Sequence, residues 1–110
     1  MEIIDRIGQI LTSHPIVLFM KGTASKPMCQ DSHEAIKLLN ACGVEYQCID
    51  IQSDPEIRAY LPKYSDSPTF PQLFLQGELI GSTAILRELH EQGELCAMLE
   101  RSRPACALAC

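Results

Sequence analysis

The chain has 110 residues, 46% of them apolar, which is enough for one domain with its own core and too apolar for a disordered segment. A net charge of −5 with few aromatic residues speaks against nucleic-acid binding, which rests on Lys and Arg neutralising phosphates. The longest apolar run, Ile16 to Met20, is far too short to cross a membrane. The opening Met1-Glu2-Ile3-Ile4-Asp5-Arg6 lacks the basic region and apolar stretch of a secretory leader, so a cytoplasmic location is expected.

Ile3, Ile4, Ile7, Ile10 and Leu11 recur at helical spacing and predict a first helix over residues 2–13, closed by Pro15. Ile16-Val17-Leu18-Phe19-Met20 has the length and composition of a central strand covered on both faces. Residues 21–28 read as a loop. Ala35, Ile36, Leu38 and Leu39 predict a second helix from Cys29 to about Cys42, with Gly43 as its stop. Val44 to Ile51 reads as a second strand. A helix joins it to the first, so the two should run parallel. Asp54-Pro55-Glu56 is a helix start, with Asp as cap, Pro in the first position and an acid in the first turn; that helix should reach about Tyr64.

Ser67-Pro68-Thr69-Phe70-Pro71 is a rigid turn. Gln72 to Gln76 and Glu78 to Ile80 flank Gly77 as a tight hairpin. Thr83 is a candidate cap for a helix ending near Gln92. Gly93 breaks it, and Glu94 to about Ser102 forms a last short helix. Pro104 and the stretch ending at Cys110 read as a frayed tail. One domain is therefore expected over residues 1–103, followed by a short Cys-containing tail over 104–110. The order is α/β and fits a thioredoxin-like plan: a central four-stranded mixed sheet, made of a parallel βαβ pair plus an antiparallel hairpin, with helices on both faces. A generic α/β domain with another strand order fits the same periodicities.

Six cysteines stand at positions 29, 42, 48, 96, 106 and 110, with no Cys-x-x-Cys pair and hence no usual zinc signature. A secreted disulfide scaffold is one reading; mostly reduced thiols with one functional member fit a reducing compartment better. Cys42 and Cys48 read as core or near-core thiols, and Cys96 as structural. Cys106 and Cys110 would share a face if the tail were helical, leaving open a metal site, a resolving thiol or a plain tail, the last being favoured. They make no prenylation signal, since Cys106 is fifth from the end. His14, His33 and His90 show no ligand spacing.

Cys29 is the functional candidate. It stands where a loop becomes a helix, beside backbone N–H groups that lack internal partners and at the positive end of the helix dipole. Both favour a thiolate, the form that attacks disulfides and binds metals. Lys21 and Lys26 are near in sequence. Ser32, three residues on, offers a hydroxyl that cannot close a disulfide with Cys29, so a one-thiol mechanism is expected. Phe70-Pro71 is a candidate cis peptide beside that cysteine.

Several segments together resemble the monothiol glutaredoxins: Met20-Lys21-Gly22-Thr23, Pro27-x-Cys29-x-x-Ser32, Asp54-Pro55-Glu56-Ile57-Arg58, Tyr64-Ser65, Pro68-Thr69-Phe70-Pro71-Gln72-Leu73 and Gly77-Glu78-Leu79-Ile80-Gly81. The match spans roughly residues 2–100. The resemblance implies a thioredoxin fold, glutathione binding and a [2Fe–2S] cluster held between two subunits by the active cysteines and two glutathione thiolates. Cys29 would then be the nucleophile or the cluster ligand. Lys21 and Arg58 would face the glutathione carboxylates, and Phe70 would offer backbone pairing beside Pro71. Thr83 and Ala84 would lie where the family holds the γ-glutamyl end. The chain departs from the family at its site. Cys29-Gln30-Asp31-Ser32 replaces Cys-Gly-Phe-Ser, Ser67 stands where Trp is usual, and Gly81-Ser82-Thr83-Ala84 replaces Gly-Gly-Cys-Asp. Ala84 cannot neutralise the glutathione amino group.

Three functions follow: a glutathione-ligated cluster carrier serving iron–sulfur client or assembly proteins, monomeric when apo and a cluster-bridged homodimer when loaded; a glutathione-dependent thiol–disulfide oxidoreductase; and an adaptor that keeps the fold without redox work.

Overall fold

The computed structural model describes residues 2–23, 25–67 and 69–101. Its elements are α1 (Ile3–Ser13), β1 (Ile16–Met20), α2 (Gln30–Ala41), β2 (Gln47–Asp50), α3 (Pro55–Ser65), β3 (Gln72–Leu75), β4 (Glu78–Gly81), α4 (Thr83–Glu91) and α5 (Leu95–Arg101). The boundary expected at 103/104, the tail with Cys106 and Cys110, and Pro68 of the rigid turn lie outside the described residues.

All of β1 is buried because its two faces serve two cores. Successive strand side chains point to opposite faces. Ile16, Leu18 and Met20 therefore pack with Leu73 and Leu75 against Ala35, Ile36 and Leu39 of α2, Leu86 of α4, and Leu95 and Leu99 of α5. Val17 and Phe19 pack with Phe74 against Ile7 and Leu11 of α1 and Ile57 and Leu61 of α3. Phe19 and Phe74 meet edge-to-face, with ring centroids 5.6 Å apart. Helices thus cover both faces of the sheet, as expected.

The strand order is β2-β1-β3-β4. β1 runs parallel to β2 and antiparallel to β3, and β3 runs antiparallel to β4. The generic alternative with another order is thereby set aside. Gln76 and Gly77, both at positive φ, make the two-residue turn between β3 and β4. On α3, Asp54 is the cap and its carboxylate accepts the Ile57 N–H at 3.3 Å, with Pro55 in the first turn. Asp54 also pairs with Arg6 of α1, tying the two helices of that face together.

Three expectations are corrected. The second strand runs Gln47–Asp50, not Val44 to Ile51: Val17 pairs with Gln47 and Met20 with Asp50, so Val44 and Glu45 fall opposite His14 and Pro15, ahead of β1, and Ile51 falls past its last residue. The cap of α4 is Ser82, not Thr83; Thr83 lies one residue inside the helix and its hydroxyl is used elsewhere. Cys42 and Cys96 are not reduced thiols but a disulfide, across a sequence separation of 54 residues. Cys42 does lie beside the α2 core, and Cys96 joins α5 to the end of α2 through that bond.

Candidate active site

The topology brings the predicted residues to one end of the sheet. β1 and β2 run toward that end, β3 starts there and β4 returns to it. The loop after β1, the first turn of α3, the Phe70-Pro71 step before β3 and the first turn of α4 therefore open on the same edge. Lys21, Cys29, Arg58, Phe70, Pro71, Thr83 and Ala84 all belong to these segments.

The loop from Lys21 to Met28 folds back on itself. Lys21 C=O accepts the Met28 N–H at 2.9 Å, and Thr23 and Lys26 exchange backbone hydrogen bonds at 3.1 Å. Gly22 makes this return possible: its φ is +93°, and a Cβ there would stand 2.5 Å from the Lys26 carbonyl oxygen. The Asp50 carboxylate at the end of β2 accepts the Gly22 N–H at 3.0 Å, the Gln52 N–H at 2.9 Å and the Ser53 hydroxyl at 2.9 Å. These bonds, led by that from Gly22, hold the Asp50 carboxyl below its ordinary value.

That return delivers Cys29 to the start of α2. Cys29 has extended backbone angles and serves as the helix cap. Its sulfur accepts the Ser32 N–H at 3.3 Å, and its thiol donates to Ser32 Oγ at 3.1 Å. Ser32 is fully buried, and its oxygen also accepts the Lys21 N–H at 3.2 Å. When the thiol loses its proton, the same hydroxyl can turn to donate to the sulfur. Cys29 itself is half-buried. The other free thiol among the described residues, Cys48, is pushed up to about 11 by burial.

Around this sulfur the structure joins some predicted residues and leaves others apart. Lys21 is joined to Cys29 through Ser32. Thr83 is tied to the first turn of α2, its hydroxyl donating to the Asp31 carbonyl at 2.8 Å. Phe70-Pro71 is a cis peptide, with Pro71 buried at the head of β3. Arg58 and Ala84 are exposed in the first turns of α3 and α4, and neither is bonded to Cys29 among the described residues. A bidentate Glu34–Arg87 pair adds a second tie between α2 and α4.

Two further residues shape the site and were missed in the sequence. Asp50 read as a residue of the second strand. Gln72 read as a strand residue, yet it is fully buried, and its Nε2 donates to the Ser67 carbonyl at 2.9 Å and the Thr69 carbonyl at 3.1 Å. It pins the segment leading to Pro71. A polar Gln beside Leu73-Phe74-Leu75 was the available signal.

A family model described as Glutaredoxin matches residues 16–80. The chain is 42% identical over 102 residues to "Glutaredoxin 4" of Haemophilus ducreyi, covering 93% of this chain and 95% of that protein. It is 49% identical over 83 residues to "Probable monothiol glutaredoxin GrlA" of Legionella pneumophila, covering 76% of this chain and 93% of that one. The chain belongs to the monothiol glutaredoxins. Among solved structures, a buckwheat glutaredoxin–glutathione complex superposes with a TM-score of 0.78 at 28% identity, covering 89% of this chain and 87% of that one.

The one-thiol character of this glutaredoxin has a geometric basis. The side chain next to the sulfur is a hydroxyl, and Cys42 stands past the far end of the 12-residue α2, about 18 Å along its axis.

Two outcomes follow. Ser32→Ala slows neutral-pH alkylation of Cys29 about twofold, because the hydroxyl bonds the thiolate more strongly than the thiol and a thiolate freed of that bond regains part of the loss in nucleophilicity, while Cys48 stays unlabelled over the same interval; peptide mass spectrometry reads both. Because the folded-state value of Asp50 is lowered, its anchoring is complete above its ordinary value of about 4 and is lost as pH falls through the folded value. Urea midpoints should therefore place wild type above Asp50→Asn at pH 7 and narrow that gap as pH falls below the ordinary carboxylate value.

Proposed function

We propose that Cys29 works in glutathione-linked chemistry, with one sulfur per chain serving as the ligand or nucleophile. The observation that carries this reading is the half-exposed Cys29 sulfur at the mouth of α2, accepting the Ser32 N–H with a hydroxyl instead of a second thiol beside it. The cargo we favour is a [2Fe–2S] cluster. Such a cluster takes four thiolate-type ligands, and the described residues of one chain hold no group of three or more His, Cys, Asp or Glu side chains able to bind a metal. Two chains giving one Cys29 each, with two glutathione thiolates, complete the set. The protein would then be a monomer when apo and a dimer when loaded, exchanging the cluster with iron–sulfur client or assembly proteins in the cytoplasm. Among the described residues no helix is long and apolar enough to cross a membrane.

For glutathione, Lys21 and Arg58 would meet its carboxylates, and the Phe70 backbone beside Pro71 would pair with its peptide. Thr83 and Ala84 would take its γ-glutamyl end. Ala84 brings no charge there, and the Thr83 hydroxyl is already used by the Asp31 carbonyl. The buckwheat complex supports a glutaredoxin fold of this shape holding glutathione.

The same sulfur supports a second reading, removal of glutathione from protein thiols. The Cys29 thiolate attacks the glutathione sulfur of a mixed disulfide, the protein thiolate leaves and takes a proton, and Cys29 carries the glutathione. A second glutathione thiolate then attacks that bond, releasing glutathione disulfide and the Cys29 thiolate.

Anaerobic reconstitution with iron, sulfide and glutathione separates these readings. Cluster carriage predicts a visible absorption band together with dimerisation, both lost in Cys29→Ser. Turnover of a glutathionylated peptide with no band transfers the assignment to the oxidoreductase. Neither signal leaves an adaptor that has kept the fold alone.

A further inference from the structure

A second sulfur pair lies apart from the site. Cys42 caps the C-terminal end of α2, and Cys96 is the second residue of α5; they are bonded, with Cα atoms 5.0 Å apart. The length of α2 keeps both out of reach of the Cys29 sulfur at its opposite end. Both are half-buried, so small thiols and disulfides have access to them. Cys48 packs against the same apolar cluster, but its half-buried thiol, pushed up to about 11, is protonated at neutral pH and does not compete for the bond.

The helix that this bond fastens needs fastening. α5 has seven residues, far fewer than an isolated helix requires in water. It is held by Leu95 and Leu99, which are buried in the core that α2 also lines, and by the sulfur bond to the end of α2. A disulfide in a chain otherwise suited to a reducing compartment is usually a transient or sensing bond, not a permanent one.

We propose that Cys42 and Cys96 form a second redox site, independent of Cys29: a reversible thiol–disulfide latch that fastens α5 to the end of α2. Its co-reactant is a low-molecular-weight disulfide such as glutathione disulfide. One cysteine thiolate attacks that disulfide and expels a small thiolate. The other cysteine thiolate then attacks the mixed disulfide and expels the second. Two protein thiols are oxidised, the small disulfide is reduced to two thiols, and the two protons released by the cysteines are taken up by the departing thiolates. Reduction by excess small thiol runs the same steps backward and frees α5.

The test equilibrates the full chain in buffers from all reduced to mostly oxidised glutathione, alkylates free thiols, and digests with trypsin. Residues 38–58 carry Cys42 and Cys48, and residues 88–101 carry Cys96. The latch predicts that these two peptides are joined through Cys42 and Cys96 in oxidised buffer and separate in reduced buffer. It also predicts that melting temperature drops by about 5 °C or more on reduction, since closing so long a loop constrains the unfolded chain. Cys29→Ser should retain both effects, whereas Cys42→Ser and Cys96→Ala should each lose the redox dependence of melting. Unlinked peptides in every buffer, a link that no reducing buffer opens, equal melting of the two wild-type forms, or loss of the link in Cys29→Ser would each overturn the proposal.

Discussion

A sulfur atom does the work of a helix cap in this protein, and the site is organised by that substitution. Caps are usually oxygens of Ser, Thr, Asp or Asn, which accept one of the N–H groups left free in the first turn. Here the Cys29 sulfur accepts the Ser32 N–H. The donor that stabilises the helix start is also a donor to the reactive atom. Ser32 couples this arrangement to the strand behind it, because its buried oxygen takes the Lys21 N–H and faces the sulfur. Folding α2 and preparing Cys29 are therefore one event.

The rest of the molecule supplies the conditions for that bond. β1 must be straight and immobile at its C-terminal end, and two separate cores clamp it from opposite faces. The chain must then turn back sharply to begin α2. Gly22 supplies the backbone angle, and Asp50 holds the Gly22 N–H from the neighbouring parallel strand. On the other side, Thr83 and the Glu34–Arg87 pair fix α4 to the first turns of α2. Gln72 holds the segment that leads into the cis Phe70-Pro71 step. The surroundings of the sulfur thus come from residues spread over the whole chain.

This distribution accounts for what the sequence made legible. The elements were readable because each carries a local signature: the unbroken run Ile16–Met20, the Asp54-Pro55 start, the Gly77 turn. Cys29 and Pro71 were readable because their chemistry is rare wherever it occurs. Ser32 was half readable, its hydroxyl being evidence against an internal disulfide but silent about the bond it makes to sulfur. Asp50 and Gln72 act through partners brought in by the fold, Gly22 and the Ser67 and Thr69 carbonyls; nothing beside Asp50 announces its partner, and the polar Gln next to Leu73-Phe74-Leu75 marks a buried amide without naming what it bonds. The Cys42–Cys96 bond spans 54 positions, and cysteine spacing does not encode pairing at such range. The start of β2 was set three residues early because apolar composition does not say where a partner strand begins.

The most direct test of the sulfur cap is a pH titration followed by NMR, reading the Cys29 Cβ carbon and the Ser32 amide proton in the same samples. The account predicts that the Ser32 amide shifts downfield in step with the change at Cys29, as the bond from N–H to sulfur strengthens on loss of the thiol proton. A Ser32 amide that stays fixed while Cys29 titrates would contradict it.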